Sequence, residues 1–175
     1  LLSRRPRNKP TTTGWKVRFR DSCKYDHGDA DQADWNKLPG ISYEYLDNHE
    51  NSVMMGWRWN KEFNAFEVGP YLHVGGERVM PEAKDIIAAK EPFWYAIQTD
   101  WVQGKASIHI WRENGAKGEY GPFRFPELGS WTRQIHAWFG GNETAPHDMY
   151  LEYGQVTVWE LVGDVWTPDE IIETL

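Results

Sequence analysis

The chain has 175 residues, with 26 acidic and 19 basic side chains and a formal net charge of -7, a length that suits one domain. A mean hydropathy of -0.71 with no long apolar run excludes a membrane-spanning helix, and an aromatic content of 15% excludes a disordered chain. Four of the basic groups, Arg4, Arg5, Arg7 and Lys9, sit in the first ten residues, which hold no acid; the body is therefore strongly acidic and a poor general nucleic-acid surface.

Residues 1–14 read as a basic tail, either a solvated terminus or a docking arm. They lack the apolar stretch of a signal peptide, and the chain opens on Leu1 rather than Met, which leaves room for an upstream segment. Trp15 to Arg20 alternates strictly, with Trp15, Val17 and Phe19 on one side and Lys16, Arg18 and Arg20 on the other. This is a half-buried strand. An acidic loop runs from Tyr25 to Asp34. Ile41–Leu46 and Ser52–Asn60 are the next strands, the latter with Met55, Trp57 and Trp59 inward. Phe63–Val68 and Tyr71–Val74 follow, and Gly75-Gly76 is a turn signal. Pro81–Lys90 fits either a short helix or a strand. Phe93–Trp101 and Ala106–Trp111 pair across the Val102–Lys105 turn, and Asn114-Gly115 marks another turn. Trp131–Phe139, Met149–Tyr153 and Val156–Leu161 complete the strands. At Thr167-Pro-Asp-Glu170 an N-cap Thr, a Pro at the first helical position and a Glu three residues after the cap predict a short terminal helix.

These elements predict an all-β chain: a tail over residues 1–14, an antiparallel β-sandwich or barrel over 15–162, and a C-terminal helical segment over 163–175. Trp and Tyr suit such a fold as inter-sheet filling and as flat platforms for ligands. The acidic loop places Asp26, Asp29, Asp31 and Asp34 close together, which leaves a structural Ca²⁺ open, although Ala33 breaks the EF-hand spacing and a solvated loop is the simpler reading. The six His lack the paired spacing of zinc sites. The single Cys23 excludes an intrachain disulfide. No organic cofactor is implied.

Three stretches carry a resemblance: Trp35-Asn-Lys-Leu-Pro-Gly40; Met55-Gly-Trp-Arg-Trp59 with Glu67 and Tyr71-Leu-His73; and Trp138-Phe-Gly-Gly141 with Ala145-Pro-His-Asp148. In this order, over roughly residues 35–160, the chain resembles the alginate and glucuronan lyases built on a concanavalin A-like jelly roll. The resemblance implies a jelly-roll sandwich and a groove that takes a uronic-acid-containing polysaccharide, with an extracellular, cell-surface or virion setting. Residue by residue it places Lys37, Arg58, Tyr71 and His73 in the catalytic set. His73 stands where the family usually has a second Tyr, and Gly56 stands where some relatives have a Ser; both are departures.

Strand parity groups the same residues independently. Leu72 and Val74 face the core, so Tyr71 and His73 face outward; Met55, Trp57 and Trp59 face inward, so Gly56 and Arg58 face outward. A polyuronate lyase must neutralise the uronate carboxylate, remove the adjacent proton and protonate the leaving oxygen. Lys37 or Arg58 could hold the developing charge, with His73 as base and Tyr71 as acid. Tyr43, Tyr45 and Glu67 are the candidate substrate contacts, and an Arg58–Glu67 pair on a solvated face is the plain alternative. Two other readings share the fold: a non-catalytic carbohydrate-binding, lectin-like module, and a structural or adhesion component of a surface or virion assembly that docks through its basic tail or terminal helix.

Overall fold

The computed structural model describes residues 2–4, 10–28, 30–128, 131–140, 145–162 and 165–171. Among them the chain forms thirteen strands: β1 (Leu2–Arg4), β2 (Thr11–Phe19), β3 (Asn36–Ser42), β4 (Asn51–Asn60), β5 (Ala65–Val74), β6 (Glu77–Val79), β7 (Asp85–Ile87), β8 (Pro92–Asp100), β9 (Lys105–Arg112), β10 (Lys117–Arg124), β11 (Trp131–Ile135), β12 (Leu151–Val162) and β13 (Val165–Ile171). The first sheet runs β1-β11-β3-β4-β5-β6, with β7 also on β5; the second runs β10-β9-β8-β2-β12-β13. All pairings are antiparallel. The chain crosses repeatedly between the sheets, giving the two-sheet sandwich that the strand pattern allows and the jelly roll that the resemblance implies.

The two inner faces close on one apolar core. Trp15, Val17 and Phe19 from β2 meet Met55, Trp57 and Trp59 from β4, Phe66, Val68 and Leu72 from β5, and Phe93, Tyr95 and Ile97 from β8. Phe19 stacks on Phe66 with ring centres 4.2 Å apart, and Trp15 on Tyr95 at 5.2 Å. Two hydroxyl tips inside are bonded: the Tyr95 hydroxyl donates to the Pro39 carbonyl at 2.7 Å, and the Tyr43 hydroxyl bonds Thr99 Oγ1 at 2.7 Å. The Trp15 and Trp57 indole N–H groups are buried with no hydrogen-bond partner among the described residues, a cost that the apolar area of the two rings offsets.

Several elements differ from the expectation. The second strand begins earlier and stops at Ser42 rather than Leu46. Ser42 Oγ accepts the Glu44 N–H at 3.1 Å and lies 3.0 Å from the Glu44 carbonyl, a local turn that competes with the ladder. Gly69-Pro70 does not interrupt β5, which runs unbroken to Val74. Met149–Tyr153 and Val156–Leu161 belong largely to the single strand β12. Pro81–Lys90 contributes the short β7, and β10 was hidden by its Gly118, Gly121 and Pro122.

Both termini differ as well. Thr11–Thr13, assigned to the tail, extend β2, and Leu2–Arg4 pair with β11; residues 5–9 lie outside the described residues. The terminal helix is not formed over Val165–Ile171, which pairs with β12 as an edge strand. An open ladder outweighs a local capping signal, and an edge strand with register shifts tolerates Pro168. Residues 172–175 lie outside the described residues.

Candidate functional site

The outer face of the first sheet is polar in sequence yet largely buried. Lys37, Ser52, Glu67, Tyr71 and His73 are each less than a tenth exposed, although parity turns them away from the core. Register explains their grouping. Lys37 pairs with Gly56 and Gly56 with Gly69; Met54 pairs with Tyr71; Ser52 pairs with His73 and His73 with Arg78. These residues therefore stand in adjacent rows across β3, β4, β5 and β6.

The segment carrying Trp138 borders this face. Trp138 bridges Lys37, each backbone N–H bonding the other's carbonyl at 3.0 Å. The loop is fastened twice more: the Asn36 side chain accepts the Gly140 N–H at 3.1 Å, and the Lys37 ammonium donates to the Gly140 carbonyl at 2.8 Å. The same ammonium lies 4.9 Å from the Tyr71 ring centre and 5.7 Å from that of Trp138, within cation–π range. Burial, then Arg78, lowers the Lys37 pKa from its ordinary value. Trp138 is 37% exposed, so its ring reaches solvent beside the buried cation.

The floor needs small residues. A Cβ on Gly40 would lie 2.4 Å from Met54 Cγ and from the Val53 carbonyl, and Met54 packs with Tyr71 and Ile135. A Cβ on Gly56 would lie 3.0 Å from Trp35 Cε3 and 3.3 Å from Tyr71 Cβ. Gly56 thus makes room for the Trp35 indole. Trp35 also carries the Arg58 guanidinium 4.9 Å from its ring centre.

At the other end, His73 Nδ1 lies 3.2 Å from Ser52 Oγ and its Nε2 lies 3.4 Å from His49 Nδ1. Ser52 donates to the Asn48 carbonyl at 2.6 Å. Burial, followed by His49, Arg78 and Lys37, lowers the His73 pKa, so His73 is neutral at neutral pH. The Tyr71 and His73 rings stand 5.6 Å apart.

Of the catalytic candidates, Lys37, Tyr71 and His73 come together. Arg58 does not join them as a free cation: its Nε donates to Glu67 Oε2 at 2.5 Å, and its Nη1 to the Ala33 carbonyl at 2.9 Å. Glu67 is 1% exposed and also takes Lys84 at 2.8 Å and Asn60 at 3.0 Å. Burial alone would raise its pKa, but Lys84, Arg58 and Asn60 together hold it below the ordinary value. Glu67 is thus a structural counter-ion rather than an open ligand contact. Tyr43 is fully buried between the sheets, its ring against Trp101 and Phe125, which corrects its place among the substrate contacts; on the run past β3 its parity turned inward. Tyr45 is exposed, in the loop after β3. Asp26 accepts the Gly28 N–H and pairs with Lys61 at 2.6 Å; Asp29 and the Asp31 side chain lie outside the described residues. Among the described residues no group of three or more acidic, His or Cys side chains, Asp34 included, could hold a metal ion.

Trp35, His49, Ser52, Arg78 and Trp138 were missed. Ser52 shares the outward parity of Gly56 and Arg58, and Trp138 sits inside a stretch that carried the resemblance. His49 lies in a loop, where no period points to it.

No family model and no curated relative matches the chain. Among solved structures it is similar to peanut lectin with a 9mer peptide, at 13% identity, over 73% of this chain and 67% of that one, with a TM-score of 0.40. It is also similar to chicken galectin 2, at 6% identity, over 81% and 88% of the two chains, with a TM-score of 0.34.

Proposed function

We propose that this chain binds a glycan bearing carboxylate groups on the outer face of the first sheet. One observation carries the reading: the Lys37 ammonium sits against the Tyr71 and Trp138 rings while Trp138 stays open to solvent. An indole offers a sugar ring an apolar platform, and a partly desolvated ammonium beside it offers a carboxylate a strong partner. The acidic shell of the molecule opposes polyanions in general, so a local cationic site makes recognition short-range. Calorimetric titration with alginate oligomers and with neutral glucan oligomers tests this. Wild-type protein is expected to bind the acidic oligomers, with at least a tenfold loss in Trp138→Ala and Lys37→Gln. Binding that is equal for neutral oligomers, or unchanged in both variants, sinks the reading.

Turnover is the second reading, favoured by a neutral His73 beside Tyr71 and Lys37. His73 would take the proton next to the uronate carboxylate, Lys37 would hold the developing charge, and Tyr71 would protonate the leaving oxygen. The Arg58–Glu67 pair weighs against it, since that cation is already engaged. Ultraviolet absorbance from unsaturated product, lost in His73→Phe, would favour elimination. A flat trace with intact binding leaves the lectin-like reading alone.

A further inference from the structure

We propose that the His49–His73 pair takes up one proton when this face binds an anionic sugar, so that acid pH tightens binding. This rests on the reading of the face as a site for acidic glycans and adds to it a linkage between ligand and proton.

The hydrogen bonds define how the pair can hold protons. The Ser52 hydroxyl has one hydrogen and gives it to the Asn48 carbonyl at 2.6 Å, so toward His73 Nδ1, 3.2 Å away, it acts as acceptor and Nδ1 keeps its hydrogen. That leaves His73 Nε2 to meet His49 Nδ1 at 3.4 Å. In the neutral pair His49 Nδ1–H donates to the His73 Nε2 lone pair. One added proton is accommodated without losing this bond: His73 Nε2–H then donates to His49 Nδ1, and the His49 hydrogen passes from Nδ1 to Nε2. One proton enters from solvent and none leaves. A second would set two N–H groups head to head, so the pair takes one proton as a unit.

The surroundings decide when that proton arrives. Lys37 from β3, Arg78 from β6 and His49 from the loop before β4 oppose charge on His73, Asp47 from the same loop favours it, and the neighbouring group on β5 is the Tyr71 ring. Burial and the cations prevail, and they favour the neutral form of His73. A carboxylate placed near Lys37 offsets those cations and favours the proton. By linkage, whatever the ligand does for the proton the proton does for the ligand.

Isothermal titration of an alginate hexamer in two buffers of different ionisation enthalpy measures the coupling. Expected are uptake approaching one proton per hexamer near pH 6.5 and affinity rising about tenfold from pH 7.5 to pH 5.5. His73→Gln is expected to lose the uptake and the pH dependence of affinity, and His49→Gln to reduce both. Binding without proton uptake, or uptake undiminished in both variants, overturns the proposal and leaves the glycan-site reading standing. No binding of the hexamer at any pH overturns the site reading, and the proposal with it.

Discussion

The two faces of the first sheet bury their residues by different chemistry. On the inner face Met55, Trp57, Phe66 and Leu72 interlock with Phe19 and Trp15 from the second sheet, and the stabilisation comes from apolar area removed from water. On the outer face Lys37, Ser52, Glu67 and His73 are nearly as hidden, but each is held by a partner: Gly140, Asn48, Arg58 with Lys84, and Ser52 with His49. Buried polar groups are costly unless paired, and here each is paired, so the inner face is held by apolar burial and the outer face by hydrogen bonds and ion pairs.

Substitutions can break this contrast, and the inner face should give the largest effect. Phe19→Ala removes a ring stacked on Phe66 and packed against Trp57 and Phe93 and is expected to cost about 3–5 kcal/mol in urea unfolding. Glu67→Gln strands the Arg58 and Lys84 charges. Both cations keep partial solvent contact, with side chains 24% and 35% exposed, so the expected loss is about 1–3 kcal/mol. Gly56→Ser presses on Trp35 and Tyr71 and is expected to cost about 1 kcal/mol. Trp138→Ala should change stability by less than about 0.5 kcal/mol while abolishing most glycan binding. A loss of stability there as large as in the core would erase the distinction between the faces.

Acid sharpens the same contrast, because the inner face contains no carboxylate or imidazole among its core residues. His73 has a folded pKa below its ordinary 6.5, so the unfolded chain binds the proton first; its contribution is complete above that value and is lost as pH falls through the folded pKa. Glu67, also held below its ordinary 4.5, contributes fully above that value and loses its contribution at more acid pH. Unfolding free energy should therefore decline in two steps as pH falls from 7. His73→Gln should flatten the first step and Glu67→Gln the second, as read from urea midpoints at each pH.

Much of the fold was legible because a strand displays its burial directly as alternation. Trp15, Val17 and Phe19, and Met55, Trp57 and Trp59, were assigned inward by parity, and all six line the core. The same rule turned Tyr71, His73 and Gly56 outward. It failed where pairing rather than pattern decides. β10, with its Gly and Pro, exists because the edge of β9 is there to receive it, and β13 replaces the expected helix because β12 offers it an edge. Tyr43 shares the inward parity of Ile41, so alternation alone sets it in the core beside Trp101; it was misread because an aromatic platform was expected there instead.

The sequence by itself determined an all-β sandwich with an aromatic core and an outward face carrying Gly56, Arg58, Tyr71 and His73, because period-two patterning depends only on neighbours along the chain. Only the tertiary structure decided that Lys37 joins that face, that Arg58 is consumed by Glu67, that Trp35 fills the space left by Gly56, and that His49 and Trp138 lie beside His73 and Lys37. Those contacts join residues far apart in the chain, and their strength depends on distance and burial, neither of which any local pattern encodes.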